Sequence, residues 1–188
     1  ERLQRLLQQL IDLMHGHEIV LVRRPHKAQE LLQEAIDAVT PKAQAKSLTI
    51  LSHLPADPLR IDADRKRCVA AFEYLLDNAV KFNREGGSVE VEMAGTADTV
   101  QVKIRDTGIG IPPEECERVF APFYQVDRRL NRAYEGAGIG LTLAKRYIEL
   151  HGGSLQLSSE VEAGTTVVVA LPRPAAAVVL PRFEPTAL

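Results

Sequence analysis

The sequence predicts an α/β domain preceded by a helical segment, and three observations carry that reading. Apolar residues recur at helical spacing along 27–46, 65–82 and the stretch after Gly140. Strict two-residue alternation marks Val89, Val91, Met93 and Val100, Val102, Ile104, and again Leu155, Leu157 and Val167, Val169, Leu171. Between them, Asp106 to Gly110 reads Asp-Thr-Gly-Ile-Gly, the exit of a strand into a ligand pocket.

The 188 residues suit one ordinary domain with flanking structure. A formal net charge of -2 gives no electrostatic argument for a nucleic-acid partner. The two cysteines, Cys68 and Cys116, lack metal-ligand spacing, so a reducing, cytoplasmic compartment is expected. No apolar run approaches the roughly 18 to 20 residues that span a bilayer. With Glu1 first, the sequence is expected to be a piece of a longer protein, and any membrane anchor would lie upstream.

In chain order, Leu3, Leu6, Leu7, Leu10, Ile11 and Met14 form a narrow helical stripe suited to a dimer or bundle seam. Gly16 ends it, and Arg23-Arg24-Pro25 reads as a linker. A helix follows over 27–46, expected to break or re-enter near Thr40 because of Pro41. Leu48 and Ile50 begin a short strand, and Asp62 or Asp64 is placed to cap the helix over 65–82. Gly86-Gly87 turns the chain into a hairpin that feeds Asp106. Residues 114–119 suit a short helix, Phe120 to Tyr124 form an aromatic knot, and the polar stretch 125–135 reads as a mobile loop, a lid if it borders a ligand. His151-Gly152-Gly153 closes the last helix, two strands follow, and the tail after Pro172 has no periodicity. The divisions are therefore 1–24 for the helical leader and linker, 25–172 for the domain, and 173–188 for a flexible tail.

Three clusters carry chemistry. A carboxylate at Asp106 can accept a hydrogen bond from a nitrogen-rich ring such as adenine, while Gly108 and Gly110 let backbone approach the ligand. Read alone, the same residues equally suit an Asp-Gly turn, and the other clusters have to decide. On the helix over 65–82, Tyr74, Asn78, Lys81 and Phe82 lie on one side, three or four residues apart. An Asn carbonyl oxygen suits Mg²⁺ already surrounded by phosphates and water, and Lys81 one turn on can reach the same phosphates. Gly136, Gly138 and Gly140 precede a helix whose free N–H groups make an anion site. Their G-x-G-x-G spacing, with no strand directly before it and no βαβ unit around it, argues against a dinucleotide fingerprint.

Asn78/Lys81/Phe82, Asp106-Thr-Gly108-Ile-Gly110, Phe120 to Phe123, Gly138-Ile-Gly140-Leu141 and Gly164-Thr165-Thr166 together resemble the N, first glycine, F, second glycine and third glycine boxes of sensor histidine kinases. All five stand in the family's order. The resemblance implies the ATP-binding sandwich of the GHKL superfamily, the Bergerat fold: a two-layer arrangement of a mixed β-sheet with helices packed on one face. It also implies roles for individual residues. Asn78 would coordinate Mg²⁺, Lys81 would contact phosphate and Phe82 would wall the base. Asp106 would bind the adenine amino group in a pocket shaped by Gly108, Gly110 and Ile111. Gly136, Gly138, Gly140 and Leu141 would hold the phosphates, Thr165 or Thr166 would sit near the adenine end, and Arg128 or Arg129 would reach the γ-phosphate. The implied partners are ATP or ADP, the protein's own dimerisation and phosphotransfer hairpin and a response regulator, in a homodimeric parent.

Three departures from the family pattern stand out. Tyr74 occupies a position where the family often has Asn, and Ala137 stands where Thr or Ser is usual. No phosphoacceptor pattern is present. His17-Glu18 is the nearest match, but Val20 and Val22 replace the Arg and Pro it requires, and residues 3–14 resemble instead the end of the hairpin's second helix. The remaining histidines, His15, His26, His53 and His151, read as surface or structural. Gyrase-like relatives place a Glu four residues before the metal Asn. Here Glu73 is five before Asn78, about 140° around the helix at 100° per residue, which argues against direct water activation. The expected function is transfer of a γ-phosphoryl group to a histidine on the hairpin, and the alternative is a degenerate kinase that binds nucleotide as a regulatory module.

Overall fold

A computed structural model describes residues 7, 10–14, 19–126 and 137–174. Five strands form one sheet in the order β2 (Thr49–His53), β4 (Ser88–Gly95), β5 (Thr99–Asp106), β7 (Gly164–Pro172), β6 (Ser154–Glu160). The β2–β4 pair is parallel and the other three are antiparallel, so the sheet is mixed. Three helices cover one face: α1 (Ala28–Ala45), α2 (Arg65–Lys81) and α3 (Gly140–Leu150). This is the expected two-layer α/β sandwich.

The alternation read in the sequence decides which sheet face is buried. Val89, Val91, Val100, Val102, Ile104, Val169 and Leu171 point at the helices, while Gln101 and Arg105 on the same strands stay exposed. Against them the helices set Leu31, Leu32, Phe72, Leu76, Leu143 and Ile148, all fully buried in one continuous core. Asp64 caps α2 by accepting the Arg67 N–H at 3.2 Å, a contact worth about 1 kcal/mol in such positions.

Three local expectations are corrected. The helix does not break at Thr40, because α1 runs through Pro41 to Ala45. Pro41 and the Asp37 carbonyl it leaves without an N–H partner both belong to exposed residues, where water can satisfy the oxygen. Arg24 to Lys27 is a strand, β1, rather than a linker, and it pairs antiparallel with β3 (Arg60–Ala63). Four residues carrying Pro25, His26 and two charges show no strand periodicity, so the pairing is a tertiary effect. Residues 114–119 hold two short 3₁₀ turns, Pro113–Glu115 and Arg118–Phe120, instead of one helix. Just past β7, the Arg173 N–H donates to Asp98 O at 2.8 Å.

Candidate functional site

Asp106 is the last core-facing residue of β5 and is 9% exposed. Its Oδ1 accepts the N–H of Gly108 at 2.8 Å and of Thr165 at 3.2 Å. These two bonds fix the carboxyl plane and leave Oδ2 with no donor among the described residues. Burial pushes the carboxyl pKa up, partly offset by the two N–H groups. A fixed, half-satisfied acid of this kind is matched by an amino group that can donate to the second oxygen.

The loop after Asp106 is held on both sides. Ile109 N–H donates to Phe82 O at 3.1 Å, and Ile111 N–H to Ser159 Oγ at 2.8 Å, while Ser159 also pairs with Thr165 Oγ1 at 2.8 Å. The glycines serve this packing directly. A Cβ on Gly108 would lie 2.5 Å from Phe82 O, and one on Gly110, at φ +70, would lie 1.9 Å from Glu160 O. They let the end of α2 and the β6–β7 turn close on the loop, a role within the chain itself. Phe82, Asp106, Gly108, Gly110, Ile111 and Thr165 thus line one locus. Thr166 pairs with Arg105 and faces the opposite side of the sheet from Asp106.

On α2, Asn78 and Lys81 are half-buried. The Asn78 carboxamide makes no hydrogen bond among the described residues. Lys81 Nζ lies 4.6 Å from the Phe82 ring centroid and makes no ion pair among the described residues. Burial lowers its pKa; Asp77 opposes that shift and Lys46 adds to it. Periodicity gives no hint of Lys46, whose Nζ reaches Lys81 O at 2.6 Å and satisfies the end of α2. Nor does it flag Asn83, 2% exposed, whose side chain donates to Ser88 O and accepts from Arg84 N–H and Thr107 Oγ1. Asn83 ties the end of α2 to the exit of β5; the signal for it was a polar side chain just past a helix end.

At the start of α3, Ile139 supplies no side-chain cap, so that residue leaves the first N–H groups uncapped. Phe123 N–H donates to Gly138 O at 2.9 Å, Thr142 Oγ1 donates to Phe120 O at 2.8 Å, and Lys145 Nζ lies 5.0 Å from the Phe120 ring centroid. The aromatic knot and the helix start are therefore one unit. Tyr74, one turn before Asn78 on α2, faces Gly140 at the start of α3, so the two helices meet there. Arg128, Arg129 and Gly136 lie outside the described residues, as does most of the stretch 125–135.

With this geometry in place, residues 63–175 match the family described as histidine kinase-, DNA gyrase B- and HSP90-like ATPases. The chain belongs to that family. Within it, the chain is 33% identical over 169 residues to the histidine protein kinase DivJ of Caulobacter vibrioides, covering 89% of this chain and 28% of DivJ. It is 34% identical over 177 residues to the circadian input-output histidine kinase CikA of Synechococcus elongatus, covering 92% of this chain and 23% of CikA. The chain thus spans about a quarter of the length of these curated relatives. Among solved structures, full-length ShkA in complex with AMPPNP superposes with a TM-score of 0.77 at 27% identity, over 94% of this chain and 37% of ShkA. The fold is that of histidine kinase catalytic domains, and within the family the chain is homologous to sensor kinases. No helix among the described residues is long and apolar enough to cross a membrane.

Proposed function

We propose that this chain is the Mg-ATP-binding catalytic domain of a sensor histidine kinase. It transfers the γ-phosphoryl group of ATP to a histidine on the dimerisation hairpin, for relay to a response regulator. The observation that carries this reading is Asp106: one oxygen is committed to the N–H groups of Gly108 and Thr165, and the other is available to the adenine amino group. Ile111, Phe82, Gly108, Gly110 and Thr165 border the base, with Thr166 at the same strand end.

Phosphate binding follows from the same cleft. Gly138, Gly140 and Leu141 offer backbone N–H groups at the positive end of α3 and Lys81 adds a mobile charge, while the phosphate roles implied for Gly136 and Arg128 fall on residues outside those described. The uncommitted carboxamide of Asn78 fits a divalent ion, since a neutral oxygen ligand suits a Mg²⁺ that keeps its phosphate and water ligands. When bound, the ion neutralises phosphate charge and orients the terminal phosphoryl group. The chain's own part is to position that group and exclude water, since in-line transfer to an imidazole asks mainly for placement and charge stabilisation.

The parent is read as a homodimer with this domain in the cytoplasm. Incubation with labelled ATP and a separately supplied hairpin from the parent should give phosphohistidine on the hairpin. Label on this chain alone would overturn the assignment. A second reading, a regulatory module that binds nucleotide without transferring it, is favoured by Tyr74 standing at the phosphate end of the cleft. Normal transfer to the hairpin would exclude it.

A further inference from the structure

Away from the base pocket, a chain of contacts joins the leading helical segment, residues 10–14, to the start of α3. Tyr147 is 3% exposed, and its hydroxyl donates to the carboxylate of Asp12, 135 positions earlier. Its ring stacks on Tyr74, with centroids 6.5 Å apart and planes 28° from parallel. Tyr74 in turn packs against the first residue of α3, where a Cβ on Gly140 would lie 3.7 Å from its ring. The same leader is pinned again further along. Val22 N–H donates to Asp64 Oδ2 at 3.1 Å, and the Arg23 guanidinium donates to Leu150 O at the end of α3.

Two features set this apart from ordinary core packing. The phenol of a buried tyrosine usually finds its partner nearby, but here the partner is a side chain outside the sandwich. The rings also form a continuous path: Tyr147 is enclosed by the core and stacks on Tyr74, which faces Gly140 at the start of α3. Moving Asp12 away replaces the acceptor of the Tyr147 hydroxyl by water or another group, which changes what holds the stacked rings in place.

We propose that Asp12, Tyr147 and Tyr74 form a relay that couples the position of the leading helical segment to the phosphate-facing start of α3. Tyr74 and Tyr147 act as positioning residues behind the start of α3 rather than at the phosphates themselves. The proposal rests on the nucleotide reading above. Coupling between two sites is reciprocal, so nucleotide must loosen or tighten the Asp12 contact by the factor by which that contact changes nucleotide affinity.

The test compares the 188-residue chain with Tyr147→Phe, Asp12→Ala and Tyr74→Leu, by calorimetric Mg-ADP affinity and by hydrogen exchange of amides 10–14 with and without Mg-ADP. In the unaltered chain, Mg-ADP should change exchange of 10–14 by at least about fivefold, the lower end of typical coupling. Tyr147→Phe and Asp12→Ala should abolish that response and shift Mg-ADP affinity by a similar factor. Tyr74→Leu should abolish the response with the Asp12 contact intact. Asp12→Ala, at a partly exposed position outside the core, keeps the test decisive if Tyr147→Phe loosens the core. Mg-ADP binding with no response at 10–14, or a response that survives Tyr147→Phe and Asp12→Ala, overturns the relay and leaves the nucleotide reading standing. Absence of Mg-ADP binding in the unaltered chain overturns both.

Discussion

Gly164 and Asp106 stand so close that a Cβ on the glycine would lie 2.0 Å from the aspartate carbonyl oxygen. Gly164 also has φ +101, so an alanine there meets both a backbone penalty and a collision with main chain. Gly164→Ala is expected to cost roughly 2–5 kcal/mol in urea unfolding. It should also weaken nucleotide binding, because the Thr165 N–H that fixes Asp106 is the next residue. Gly140→Ala is the control. Its nearest neighbour would be 3.7 Å away, so it should stay within about 1 kcal/mol of the unaltered chain.

Asp106→Asn separates binding from stability. The variant keeps an oxygen for Gly108 and Thr165 but turns an NH₂ toward the place of the adenine amino group, so donor meets donor. Losing a hydrogen bond to a charged group costs about 1.5–3 kcal/mol, so ADP affinity by calorimetry should fall at least about tenfold. Without nucleotide the effect on stability is the reverse. Burial raises the folded-state pKa of Asp106 above the ordinary 3.8, so its ionised form is a cost at neutral pH. That cost vanishes as pH falls through the folded value toward 3.8. The Asn variant should therefore unfold at the same or higher urea concentration at neutral pH, with its advantage shrinking in acid.

The parts of this molecule legible in the sequence are those whose physics is local. Alternation at Val100, Val102 and Ile104 gives the strand and its face, and the same count places Asp106 inward. Helical spacing gives α2 and α3, and of the two cap candidates, Asp62 and Asp64, the structure selects Asp64. What stayed illegible depends on partners distant in sequence. The strand Arg24–Lys27 exists because Arg60–Ala63 lies beside it. Ser159 matters only because Ile111 and Thr165 reach it, and Tyr147 reads as plain core until Asp12 is found at its hydroxyl. For Gly108 and Gly110, the sequence singles out the residues, but the close approach of Phe82 and Glu160 to them depends on partners that no local pattern shows.

His151 makes stability fall on the acid side of neutrality. The ring is 2% exposed, accepts the Asp64 N–H on Nε2 at 2.9 Å and pairs through Nδ1 with Tyr147 O at 2.6 Å, which specifies a neutral ring with its proton on Nδ1. Burial is the main cause that holds its pKa below the ordinary 6.5. Above 6.5 the folded and unfolded chains are both neutral here and the contribution is complete. Below it the unfolded chain takes up the proton first, and stability drains away as pH falls through the folded value. Urea unfolding at about pH 7.5 and about pH 5.5 should show this loss in the unaltered chain, and His151→Gln should reduce it.

Asn78 should control the metal dependence of nucleotide binding and little else. Its carboxamide has no partner among the described residues and sits half-buried on α2, whose core contacts run through Phe72, Leu76, Ala79 and Val80 on other faces. Asn78→Ala should therefore change folding stability by no more than about 1 kcal/mol. If the side chain helps hold Mg²⁺ at the phosphates, ADP binding without the metal should be unchanged. The gain in affinity on adding Mg²⁺ should shrink several-fold, since the ion then keeps only phosphate and water ligands. Tyr74→Asn asks the converse question at the position one turn earlier. With a second amide on the same face, the Mg²⁺-dependent gain should rise. Equal Mg²⁺ dependence in the unaltered chain and in Asn78→Ala would place the ion's protein ligand elsewhere and remove Asn78 from the site.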